Sequence, residues 1–236
     1  MMKFAKKNVL VTGGSGAIGS EVVRKFASEG ATVIIADQSP LPENESEHIS
    51  KLYSEPIFIQ TDLTDENSVK NLVQTITSNH DIHVLAQVAG GFRFGPAIED
   101  MPETDWDDLL DLNLKSVFLM IKHIIPFMKA QNYGRIVSIA ARSGLRGDPM
   151  VGHYSVSKGG VILLSQTVSE EVKDFDITVN TVLPSIVDTP ANRLAMPQSD
   201  FSKWVSTTDL ANVMLFLTSD DARAISGASI PVYYRS

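Results

Sequence analysis

Residues 8–19 read Asn8-Val9-Leu10-Val11-Thr12-Gly13-Gly14-Ser15-Gly16-Ala17-Ile18-Gly19, and this stretch decides the fold. Residues 8–11 form a β-branched, apolar run that breaks at the glycines, after which residues 21–28 carry apolar side chains at helical spacing. A glycine turn between a strand and a helix lets the backbone bend tightly and come close to a pyrophosphate. The helix N-terminus offers that anion unpaired N–H groups and the positive end of a dipole. Gly13, Ser15, Gly16, Ala17, Ile18 and Gly19 are therefore candidate cofactor-binding residues.

Moving outward, the next predicted strand, 32–36, ends in Asp37, 18 positions after Gly19. An acidic side chain there can accept both ribose hydroxyls of an adenosine; the alternative is a structural turn followed by a solvated Asp. The carboxylate would repel a 2′-phosphate, and no Arg or Lys stands at Ser15, Gly16 or Gln38 to attract one, so NAD is the expected cofactor, with NADH preferred over NADPH. Further strands are predicted at 56–60, 82–88, 135–140, 177–183 and 229–232. Helices are predicted at 65–78, 105–128, 159–172 and 209–218, with Pro126 kinking the second near its end. This alternation predicts a single-domain α/β protein over residues 1–236: a doubly wound, seven-stranded parallel sheet with helices on both faces. The polar stretch 41–53 reads as a loop plus a short surface helix. Residues 185–206, rich in Pro, Ser and Asp, read as a mobile substrate lid.

A second chemical stretch is Tyr154-Ser155-Val156-Ser157-Lys158. Tyr and Lys four apart share a helix face. A phenol with a pKa of about 10 needs an ammonium nearby to work near neutral pH, and at ~5 Å that attraction is on the order of 3 kcal/mol, enough to lower Tyr154 by roughly two units. The plainer alternative is a half-buried aromatic beside a solvated lysine. Asn113, set among Leu109, Leu110, Leu112 and Leu114, is either a hydrogen-bonded core residue or part of a site. Asp62, at the end of the third strand, is a ligand contact or a turn-forming Asp. Ala89-Gly90-Gly91 forms a second small-residue turn that would admit a cofactor.

The chain has 236 residues, 43% of them hydrophobic, and a formal net charge of -8, which argues against nucleic acid or an anionic membrane as the main partner. With no cysteine, disulfides and thiolate chemistry are excluded, and the five His show no metal-ligand spacing, so no metal is expected. The start reads as a strand and not as a signal peptide, and no run reaches the ~20 apolar residues of a membrane span. A cytoplasmic protein acting on a small molecule is the expectation. Apolar surface on the helices from 105 and 155, with Gly159-Gly160 permitting close approach, predicts a homodimer or homotetramer.

Taken together, these residues resemble the short-chain dehydrogenase/reductase family over nearly the whole chain. Thr12-Gly13-x3-Ala17-x-Gly19 is similar to its glycine motif, Asp62-Leu63-Thr64 to its adenine-pocket Asp, and Asn113, Tyr154 and Lys158 to its catalytic Asn, Tyr and Lys. The resemblance implies that Tyr154 transfers a proton. It further implies that Lys158 lowers the Tyr pKa and binds the nicotinamide ribose, and that Asn113 holds a water in a relay to Lys158. Leu63, Ala89, Gly90, Pro184, Val187 and Thr189 join the implied cofactor-binding set. Two departures stand out: Asn-Asn-Ala-Gly reads Gln87-Val88-Ala89-Gly90, and the catalytic Ser, thirteen residues before the Tyr, is Ala141. Ser143 would take that role if the strand continued so as to point it the same way, with Ser138 facing the other way. The tail from Leu183 to Trp204 resembles dihydropteridine reductases, which implies an NADH-linked reductase of quinonoid or carbonyl small molecules. The alternatives are a 3-ketoacyl or alcohol/sugar dehydrogenase of the same family, and a non-catalytic NAD-binding protein.

Overall fold

A computed structural model describes residues 2–53 and 55–236. Seven strands, β1 (Asn8–Thr12), β2 (Thr32–Asp37), β3 (Ile57–Gln60), β4 (Val84–Gln87), β5 (Gly134–Ile139), β6 (Ile177–Pro184) and β7 (Ser229–Val232), form one parallel sheet in the order β3-β2-β1-β4-β5-β6-β7. The order reverses between β1 and β4, and in such sheets ligands settle outside the carboxyl ends of the strands at that reversal.

Because side chains alternate along a strand, the sheet feeds two separate cores. Leu10, Ile34, Leu85 and Ile136 pack with Val69, Leu72 and Val73 of α3 (Glu66–Thr77), with Met120 and Ile124 of α5 (Ser116–Ala130), and with Val161 and Val168 of α6 (Gly152–Glu171). Val9, Val11, Val33 and Ile35 face the other way. They meet Val22, Val23 and Phe26 of α1 (Ala17–Ser28), Ile49 of α2 (Glu43–Leu52), and Leu210 and Met214 of α8 (Thr207–Thr218). Helices thus cover both faces, as expected. Asp65 caps α3 by accepting from the Ser68 N–H.

Several expectations are corrected. The helix expected over 105–128 is α4 (Glu103–Leu110), then a π-helical turn, Asp111–Lys115, and then α5. It runs on through Pro126, which lies on the exposed side where water can meet the carbonyl that lacks its usual N–H partner. The 185–206 stretch, read as a substrate lid, carries structure of its own: Val187 bridges Val205, Trp204 and Val205 are buried, and a short helix α7 (Pro190–Ala195) lies between them. Arg193 clasps Asp188 through both carboxylate oxygens, at 2.6 and 2.7 Å. Gly160 serves packing within the chain: a Cβ there would come within 2.7 Å of Leu114.

Candidate active site

The glycine turn opens directly from β1. Gly13 has φ +66°, and a Cβ on it would lie 2.6 Å from the Cα of Ala89, so the β1 and β4 turns touch at a point where only glycine fits. Gly16 precedes α1 without a side-chain cap, Gly16 and Ala17 are exposed, and a Cβ on Gly16 would meet nothing closer than 3.6 Å. An open, uncapped helix start of this kind fits a dinucleotide pyrophosphate. Asp37 flanks the turn: its carboxylate accepts the Ser15 N–H at 3.0 Å and the Gln38 N–H at 2.7 Å, which fixes its orientation against it. Asp62 is largely taken up locally. It accepts the Thr64 N–H at 2.9 Å and the Thr64 hydroxyl at 2.7 Å, and these bonds hold its carboxyl below the usual range. Leu63 beside it is buried. At the far end, Pro184 closes β6, Val187 sits in the Val205 bridge, and Thr189 caps α7 by accepting from the Asn192 N–H.

Three candidate residues converge on the β4 turn. Asn113, fully buried in the π turn, accepts the Gly91 N–H through Oδ1 at 2.8 Å and donates through Nδ2 to the Gly91 carbonyl at 3.0 Å and to the Ser157 hydroxyl at 3.1 Å. Ser157 in turn donates to the Tyr154 carbonyl at 2.8 Å. Both amide protons of Asn113 are therefore spent, leaving a lone pair on Oδ1 as its free capacity. A Cβ on Gly90 would lie 2.8 Å from Asn113 Oδ1 and 3.2 Å from Lys158 Nζ, so Gly90 is the shared floor beneath those two side chains. Lys158 is buried and donates to the Ile139 carbonyl at 2.9 Å. Burial pushes its pKa down to about 8.

Tyr154 behaves differently from the expectation. Burial alone pushes its phenol up to about 12, while the Lys158 ammonium is bonded to the Ile139 carbonyl at the end of β5. The Tyr154 ring meets Phe92 edge to face at 4.9 Å and 86°.

Ala141 is buried in extended backbone, and no hydroxyl stands at that position. The condition for Ser143 to replace it is not met: β5 ends at Ile139, and Ser143 lies in a single 3-10 turn, Arg142–Gly144. Ser138 faces inward and accepts from Gln87 Nε2 at 3.1 Å; the buried Gln87 Oε1 has no partner among the described residues. Two contributors escaped sequence reasoning, Ser157 and Phe92. Ser157 lies inside the Tyr154–Lys158 stretch three residues after the Tyr, and Phe92 directly follows the second glycine turn. Among the described residues there is no group of three or more His, Cys, Asp or Glu able to hold a metal, and no helix is long and apolar enough to cross a membrane.

The model of the short chain dehydrogenase family matches residues 7–200. A 3-oxoacyl-[acyl-carrier-protein] reductase of Thermotoga maritima is 31% identical over 243 residues, covering 98% of both chains. Its counterpart from a Staphylococcus epidermidis strain is 33% identical over 237 residues, covering 96% of this chain and 97% of that one. Among solved structures, a short-chain type dehydrogenase/reductase from Mycobacterium ulcerans superposes with a TM-score of 0.91 at 26% identity, covering 98% of this chain and 90% of that one.

Proposed function

The chain belongs to the short-chain dehydrogenase family, and from that premise we propose that it reduces a small-molecule acceptor with NADH, using Tyr154 as proton donor. The observation that carries this is the gathering of Asn113, Ser157, Tyr154 and Lys158 around Gly90 and Gly91. A protein that only bound the dinucleotide would need Lys158 but not an ordered Tyr154. When bound, the nicotinamide supplies the hydride. Gly13, Gly16, Ala17 and Asp37 would hold the adenosine and pyrophosphate, and Lys158 the nicotinamide ribose. At neutral pH the Tyr154 phenol keeps its proton, which is the form a donor requires. Lys158, bonded to the Ile139 carbonyl and held beside Gly90, serves the ribose and not the phenol.

The acceptor we propose is a conjugated, quinone-like ring such as quinonoid dihydropterin. An ordinary ketone concentrates negative charge on one oxygen, where a second donor is worth on the order of 3 kcal/mol; Ala141 removes that donor, and Ser143 does not stand in the strand to restore it. In a conjugated ring the charge spreads over several atoms, and one donor suffices. The second reading is a 3-ketoacyl reductase, favoured by the names of the two bacterial relatives. NADH oxidation should proceed with quinonoid dihydropterin, with a 3-ketoacyl thioester poorer by at least about tenfold and NADPH a poorer donor than NADH. Tyr154→Phe should remove most turnover while leaving NADH binding nearly intact. Undiminished turnover by that variant would remove Tyr154 from the mechanism, and efficient ketoacyl reduction without pterin activity would establish the second reading.

A further inference from the structure

Immediately beyond the Asn113 anchor, the chain runs Gly91-Phe92-Arg93-Phe94-Gly95. Phe92 is 51% and Phe94 73% exposed. Two adjacent exposed phenylalanines are costly to leave in water, since each buries some 150–250 Å² when covered. They are not loosely placed. Both backbone groups of Gly91 are bonded to Asn113, and the Gly95 N–H donates to the Met150 carbonyl at 2.8 Å, so the segment is tied at both ends. Arg93, between them, reaches Asp108 of α4 at 3.6 Å. Below the strap, a Cβ on Gly95 would lie 3.2 Å from the buried His153 ring, which directly precedes Tyr154.

The rings form a row that begins at the proton donor: Tyr154 to Phe92 at 4.9 Å and 86°, then Phe92 to Phe94 at 5.1 Å and 87°. Asn113 ties this row to the chemistry, because the same side chain fixes Gly91 and, through Ser157, the Tyr154 turn. Rigid aromatic rings offer an electron-rich face, which prefers a flat, electron-poor ring; a flexible acyl chain gains nothing from rings that aliphatic side chains would not give it.

We infer that Phe92 and Phe94 are the specificity-determining wall of the acceptor site and select a flat, conjugated ring lying against Tyr154. This rests on the reductase function proposed above and names the residues that read the acceptor. The test compares the full-length native protein with Phe92→Leu/Phe94→Leu, which keeps apolar bulk but removes both rings, and with Phe94→Leu alone, an exposed position at which the fold has little to lose. With NADH as donor, the ratio of kcat/KM for quinonoid dihydropterin to that for a linear 3-ketoacyl thioester should fall about five- to tenfold in the double variant. In parallel, the Kd of fully oxidised pterin, followed by fluorescence in the presence of NAD, should rise by a similar factor without any turnover being needed. An unchanged ratio with active enzyme overturns the inference and leaves the reductase function standing. If the native protein reduces neither acceptor, the reductase function fails, and the pterin Kd alone decides: a weakened Kd in the variants upholds the aromatic wall, and an unchanged one overturns it.

Discussion

Lys158 is the residue whose burial has the largest consequence for stability. Its ordinary value of 10.5 falls to about 8 in the fold, so at neutral pH the folded chain holds a buried ammonium bonded to the Ile139 carbonyl. The difference corresponds to on the order of 3 kcal/mol. Below pH 8 that cost is present in full. Between about pH 8 and 10.5 the unfolded chain binds more protons at this position than the folded one, and stability rises with pH. Tyr154, whose value is about 12 in the fold, opposes this only above pH 10. Lys158→Met should therefore raise the melting temperature at pH 7, and the gain should shrink as melts are repeated toward pH 10; a gain independent of pH would mean that the ammonium is not the cause. At this scale the sequence was readable where spacing is local: Asp37 lies against the glycine turn through the Ser15 N–H, and Tyr154 and Lys158 share one helix. It misled where the outcome depended on the third dimension. The four-residue spacing of Tyr154 and Lys158 implied a direct pull on the phenol, yet the ammonium turns to Ile139, a neighbour 19 residues away whose proximity no local pattern encodes.

Among elements, the β1 turn and the π turn do the positioning. The glycine pattern between β1 and α1 was legible because strand, turn and helix are local events with local signatures. The contact of Gly13 with Ala89 was not, since it depends on β4 lying beside β1. Gly13→Ala would demand both a left-handed backbone for alanine, at about 1–2 kcal/mol, and a shift of the β4 turn that carries Gly90. NADH affinity should fall at least tenfold in a fluorescence titration, together with the melting temperature; unaltered binding would show that the two turns move independently. The π turn at Asp111–Lys115 has no sequence signature, because leucines on either side of Asn113 suit an uninterrupted α-helix equally well. A widened turn of this type is common at functional sites, and here the residue at its centre is the one bonded to Gly91.

For the molecule as a whole, α5 and α6 leave Phe118, Phe127, Val156 and Leu163 exposed, between 41% and 65%. Apolar area on two helices of the same layer favours association with a second copy, so light scattering at micromolar concentration should return at least twice the 25.7 kDa chain mass, and Leu163→Glu should lower it. A monomeric mass for the native chain would contradict this. The whole sheet, its direction and its strand count were readable from alternation alone, whereas the folded form of 185–206 was not, because a Pro- and Ser-rich stretch hides the pairing of Val187 with Val205. The two cores described above also divide the site. The glycine turn belongs to the α1 layer, and Asn113, Tyr154 and Lys158 to the α5 and α6 layer, with the strand ends as the bridge between them. The enzyme is therefore built for grafting: with Gly13 kept against Ala89, exchanging residues 14–19 and 37–39 for those of another sequence should re-address it to a different nucleotide while its proton chemistry is inherited unchanged.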